Sequence, residues 1–225
     1  SVWRALRDEL HPQGVELITV GLDSLGAEGC RAALETAAPS HPALIDTHHQ
    51  MASHFGIVNI PQSVWIDEQG MIVRPVESAP LPPTDPAPAP AGSEALPQRL
   101  TDIMVEAAQI ETDPARYHQA LRDWVANGSK SQYALSPEAV IKRSKPPSSD
   151  RAMGHAHFEL ACEAVVQNAK GLAIRHFRAA HALVPESWTY RRQAWSLEAV
   201  EAAGPFARFW QGPSPDAPEN WPYES

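Results

Sequence analysis

The stretch "NIPQSVWIDEQG", residues 59–70, runs from an Ile-Pro-Gln-Ser turn straight into a Val-Trp-Ile segment of high strand propensity. Glu68-Gln69-Gly70 then offers a turn, and "MIV" (71–73) a returning strand, so the pattern predicts a β-hairpin. Reading backwards, "THHQMASHFG" (47–56) fits a helix with Thr47 as its N-cap and Gly56 as its stop. "PALID" (42–46) fits a short strand and "AEGCRAALETAA" (27–38) a helix. "VELITVGL" (15–22) is a near-continuous apolar run, the signature of a parallel strand buried on both faces. "SVWRALRDEL" (1–10) places Val2, Trp3, Leu6 and Leu10 on one helical face, with Arg4, Arg7 and Asp8 outside, and His11-Pro12-Gln13-Gly14 ends it. Such alternation of strand and helix predicts an α/β layered domain.

Eight of the 22 prolines fall in residues 75–97, "PVESAPLPPTDPAPAPAGSEALP", which reads as an extended, semi-rigid linker. It divides the chain into an α/β domain at 1–74 and a helical domain at 98–211, with an extended tail at 212–225. In the second part, Asp113-Pro114 and Ser136-Pro137 each supply an N-cap followed by proline at the first helical position. Tyr117, Leu121, Trp124 and Val125 form an apolar face that ends at Asn127-Gly128. Across 154–187, Leu160, Ala161, Ala173, Phe177, Ala180 and Pro185 fall at the spacing of the packing positions of a tetratricopeptide-like helix pair, and "SWTYRRQAWSLEAV" resembles its capping helix. One such unit is too short for a solenoid.

Bulk composition narrows the function. The chain is 43% hydrophobic and 20% charged, and its 18 basic and 27 acidic residues leave a formal net charge of -9, which disfavours a nucleic-acid partner. No run of eighteen apolar residues predicts a membrane span, and no export signal is in view, which makes the cytoplasm the default compartment. The two cysteines, Cys30 and Cys162, form no Cys-x-x-Cys pair and no metal-ligand cluster. Cys30 lies beside Gly29 and Arg31, too weakly electropositive a setting to favour a resolving thiol over an inert structural cysteine, and Cys162 has the spacing of a core position. His48, His49 and His54, or His155 with His157, lack a spaced carboxylate to complete a metal site, so no metal and no cofactor is expected. Ser63 lacks the Gly-x-Ser-x-Gly elbow of a nucleophile. Trp188, Tyr190, Trp195, Phe206, Phe209 and Trp210 make the C-terminal third aromatic, through packing more economically than through a peptide groove.

In order and content, "GVELITVGLD", "HPALID" and "HFGIVNIPQSVWIDEQGMIV" resemble the second half of a thioredoxin-like redoxin of the TlpA/ResA type. The resemblance implies a partial thioredoxin-like fold followed by an all-α, tetratricopeptide-like region. It also implies a cis peptide bond at Pro61, with Ile60, Pro61 and Gln62 facing an extended substrate. The family's reactive motif, Trp-x-x-x-Cys-x-x-Cys, opens the helix that matches "SVWRALRDEL", so the nucleophile is expected upstream of Ser1 and the chain itself is expected to be inactive. The whole chain is similar to a bacterial ResA-like group whose motif reads Trp-Ala-x-x-Sec-Gly-Cys. A UGA read as a stop would make this chain a selenoprotein fragment. The strand before that motif would lie between those matching 15–22 and 63–67, leaving a gap in the sheet. The implied partners are a protein or peptide disulfide or a peroxide as substrate, an external thiol reductant, and a protein partner for the helical region. The alternative is a non-catalytic thioredoxin-fold scaffold with a protein-binding helical tail.

Overall fold

The computed structural model describes residues 2–80, 112–144, 146 and 148–198. It is a mixed structure of helices and two small sheets, and it divides into two compact units. The first unit lies within residues 1–82 and 113–152, and the second, among the described residues, within 153–198. A boundary at the proline-rich stretch therefore separates residues that pack together. Residues 81–111 and 199–225, and with them most of the predicted linker and all of the predicted tail, lie outside the described residues.

The first unit begins with α1 (Val2–Leu10). Its amphipathic spacing buries Leu6 and Leu10, while Arg7 on another face pairs with Glu16 through two nitrogen–oxygen contacts of 3.0 and 3.1 Å. A 3-10 turn at His11–Gln13 follows, and Gly14, at φ +93°, takes the left-handed conformation that lets the chain leave it. β1 (Thr19–Leu22) is shorter than the apolar run around it and pairs in parallel with β2 (Ala43–Asp46), from Thr19 opposite Ala43 to Leu22 opposite Asp46. Between them lies α2 (Ala27–Ala37), the crossover that a parallel pair requires.

Two expectations change in this segment. The run at 15–22 is not buried on both faces, because every side chain of β1 is half-buried and Ile18 is 54% exposed. The reason is topological: among the described residues β1 has one strand neighbour instead of two. The other change concerns α3 (Gln50–Phe55), which starts three residues after Thr47. Its first turn is capped by Asp46 at the end of β2, whose carboxylate accepts from the amides of Gln50 (3.0 Å) and Ala52 (3.1 Å). The chain swings into that position through His49, whose φ of +52° is left-handed.

β3 (Gln62–Ile66) and β4 (Ile72–Ser78) form the antiparallel hairpin. Asp67 shapes its turn by accepting from the amides of Gln69 and Met71 at 3.0 and 2.8 Å, and Gly70 supplies φ +78°. β4 continues through Pro75 to Ser78, so residues 75–78 are strand and not linker. Proline has no amide to donate, and the register slips beside it, between the pairs Trp65–Arg74 and Ser63–Glu77. The far side of β4 is closed by the amide of Leu135, which donates to the Val73 carbonyl at 3.0 Å. The hairpin and the β1–β2 pair are separate sheets.

α4 (Pro114–Asn127) and α5 (Pro137–Arg143) are capped as predicted, by Asp113 Oδ1 on the Arg116 amide (2.8 Å) and by Ser136 Oγ on the Ala139 amide (3.3 Å). Buried Ala120 and Leu121 of α4 join Leu6, Leu10, Trp65 and Val73 in one core, flanked by Trp3, Tyr117 and Trp124. α4 therefore completes the α/β unit.

The second unit is built on α6 (Ser149–Val166) from Met153 onward, α7 (Lys170–Leu183) and α8 (Trp188–Glu198). Ala161, Ala173, Phe177 and Ala180 are buried at the packing positions read from the sequence, whereas Leu160 is 51% exposed and Pro185 is also exposed. Phe158 and Tyr190 stack with centroids 4.3 Å apart, tying α8 to α6. Gly154 allows the closest approach: a Cβ there would stand 2.5 Å from Cγ2 of buried Val184. Alanine would gain about 1 kcal/mol in helix propensity. Overpacking against a short, stiff valine costs about 1–3 kcal/mol. We expect Gly154→Ala to lower the urea-unfolding free energy, and Gly154→Ala with Val184→Ala to recover part of the loss. A stabilised single variant would refute the packing argument.

Among the described residues, no helix is long and apolar enough to cross a membrane.

Candidate functional site

The loop entering β3 stands out by exposure. Asn59, Ile60 and Pro61 are exposed, with Ile60 at 47%, and the Ile60–Pro61 peptide bond is cis, as the resemblance implies. Part of the loop's backbone is already engaged. The Ile60 amide donates to Asn59 Oδ1 at 2.9 Å, and the Pro61 carbonyl accepts from the Ala79 amide at 3.2 Å. An extended peptide that pairs with Ile60 must displace the Asn59 side chain to reach the amide. Gln62 is half-buried, and its Oε1 is a buried acceptor without a hydrogen-bond partner among the described residues.

The base of this loop is held from α4. Trp65 Nε1 donates to the Tyr117 hydroxyl at 3.1 Å, and that hydroxyl lies 2.6 Å from Ser63 Oγ. Burial pushes the Tyr117 phenol up, so it stays protonated and available as donor or acceptor. Ser63 thus partners a phenol and not a general base, which agrees with its having no nucleophile elbow. Around this bond, Trp65 stacks on Trp124 (5.2 Å, 25°), Arg74 sits 5.3 Å above the Trp65 ring, and Trp3 meets Tyr117 edge-on at 6.5 Å. The support by Tyr117 escaped the sequence reading. Its apolar face was recognised, but nothing local said that the face belonged to the hairpin.

Cys30 is not set up as a nucleophile. Burial, and then the Asp23 carboxylate, push the Cys30 thiol up, the opposite of an activated thiolate. Its sulfur lies where a Cβ on Gly21 would come within 2.8 Å, so it packs on the bare backbone of β1. Cys162 packs against the helical core.

The predicted histidine groups disperse. His49 is buried while His48 and His54 are exposed. His155 Nδ1 meets the Tyr190 hydroxyl at 3.2 Å, and His157 instead meets His176. Among the described residues, no three metal-binding side chains come together. Of the C-terminal aromatics, Trp188 is half-buried and Tyr190 buried. Phe206, Phe209 and Trp210, and the side chain of Trp195, lie outside the described residues.

Compared with family models, with curated proteins and with solved structures, the chain finds no match in any of the three.

Proposed function

We propose that this chain is the substrate-facing portion of a thioredoxin-like thiol or selenol oxidoreductase whose nucleophile comes from outside these 225 residues. The observation that carries the reading is the split sheet: a parallel pair with a helical crossover, a separate antiparallel hairpin, and an exposed loop entering the hairpin. By the resemblance, one strand inserted between β1 and β3 would join the parallel pair and the hairpin into a single sheet. The raised pKa of Cys30, the cysteine nearest the hairpin in sequence, supports an external nucleophile. In the reaction, an upstream thiolate or selenolate would attack a substrate disulfide and form a mixed species. A second thiol would then attack that bond and release the reduced substrate, and an external dithiol would restore the enzyme. Ile60, Pro61 and Gln62 would hold the extended substrate, on a platform braced by Tyr117.

The test starts from the coding DNA upstream of the Ser1 codon. An in-frame Trp-x-x-x-Cys-x-x-Cys, or a UGA followed by Gly-Cys codons, is the expected finding. The extended protein should then reduce insulin disulfides at least ~100-fold faster than the 225-residue chain, in keeping with nucleophilic catalysis. Serine or glycine at the motif positions, or an extended protein no faster than the chain, would sink the reading in favour of a non-catalytic scaffold.

A further inference from the structure

The partly buried pair His157 and His176 lies outside the loop and is unused by the proposed redox chemistry. His157 projects from α6 and His176 from α7, and their Nδ1 atoms are 2.8 Å apart, with the rings tilted by 36°. As a hydrogen bond, this contact needs one ring with its proton on Nδ1 and the other with a bare Nδ1. Two like nitrogens converging from neighbouring helices are also a pair of ligands. Their spacing is nearer to one ligand geometry than to another. Tetrahedral bonds of about 2.0–2.1 Å would set two nitrogens about 3.3 Å apart, whereas cis positions of a square-planar site with similar bonds set them about 2.8 Å apart.

We infer that His157 and His176 form a two-histidine site for Cu²⁺, bound through both Nδ1 atoms in cis equatorial positions with water in the others. The observed spacing then needs ring rotation to aim both lone pairs at one point, but no separation of the helices. On binding, the proton shared between the Nδ1 atoms leaves to solvent and Nε2 of the same ring takes one up. Both rings stay neutral, and no net proton is released. Tetragonal preference and the general order of divalent affinities both place Cu²⁺ ahead of Ni²⁺ and Zn²⁺.

The full chain has ten histidines, so the experiment must identify which of them bind. One equivalent of Cu²⁺ is added to the metal-free chain, and the paramagnetic spectrum is read for nitrogen superhyperfine splitting. We expect two imidazole nitrogens and an affinity above that for Ni²⁺ and Zn²⁺. His157→Gln and His176→Gln should each reduce the count to one and weaken binding at least ~10-fold, while the double variant His48→Gln/His54→Gln should change neither. Because a variant could disturb the helices, the unsubstituted chain provides a second readout. Sub-stoichiometric Cu²⁺ should broaden the imidazole signals of His157 and His176 before those of any other histidine. A first equivalent that ignores both substitutions, follows the His48/His54 variant, or broadens another histidine first would overturn the site.

Discussion

Lowering the pH from 7 to 4 should unfold the helical unit, with His181 as the main cause. This side chain on α7 is 1% exposed, and its ring lies parallel to Phe177 within the core. Burial, followed by the positive charge of Arg191, pulls its pKa down to about 3, against a smaller upward pull from a backbone hydrogen bond at Tyr190. In the unfolded chain the ring titrates near ~6.5. The folded state therefore refuses a proton that the unfolded state accepts. The stabilisation is complete above the unfolded pKa and is lost as the pH falls from about 6.5 towards 3. By pH 4 the loss is on the order of 3 kcal/mol, a large share of what a small helical unit can hold. His176, also held low by burial, acts in the same direction.

Carboxylates answer in a different window, which makes the assignment testable. Glu16, held at about 2 chiefly by the Arg7 side chain, belongs to the first unit and loses its pairing only as the pH falls below its unfolded value near ~4.3. Backbone amide spectra of the α6–α8 residues should show cooperative unfolding between pH 6 and 4. His181→Leu should move the midpoint down by about a unit or more, since a leucine of similar size offers no site for the proton. A wild-type helical unit that remains folded at pH 4, or a midpoint that His181→Leu leaves unmoved, would disprove the role of this histidine.

Local chemistry was readable where a single short-range rule decides the conformation. Gly70 marks the end of the hairpin turn, Asp113 and Ser136 cap their helices ahead of proline, and the alanines of 161–180 mark the closely packed helix pair. The failures share a cause: the deciding partner was remote in sequence or is not among the described residues. An apolar run such as 15–22 reports that burial is favourable but not whether a second strand is there to provide it. Thr47 and Asp46 are both good cap residues, and the choice fell to Asp46 because His49 takes a left-handed turn that aligns the helix amides with its carboxylate. The apolar face of α4 was visible too. What it covers was not, because the proline-rich composition before it suggested a boundary that the packing does not respect. Of the loop, exposure and the special bond at Pro61 were anticipated, while its brace by Tyr117 was not.

Replacing Trp65 with alanine should be the most damaging single change in the first unit, costing about 3–5 kcal/mol. The ring is 4% exposed and receives partners from both sides of the proline-rich stretch: Trp124 and Tyr117 of α4, and Arg74 of its own hairpin. Its truncation would leave a cavity between α1, α4 and the hairpin, and would remove the indole N–H that anchors the Tyr117 hydroxyl. Trp65→Phe separates these terms: it keeps most of the packing but loses the donor, and we expect about 1–2 kcal/mol. The decisive comparison is with Trp124→Ala. If α4 is an integral part of the first unit, the two tryptophans are energetically coupled, and the double variant should lose at least ~0.5 kcal/mol less than the sum of the single losses. Additive losses, with little or no loss for Trp124→Ala alone, would mean that residues 113–127 rest on the hairpin without contributing to its stability. The stable unit would then end where the prolines begin, and the Tyr117 contacts with Ser63 and Trp65 would add little to the loop's support.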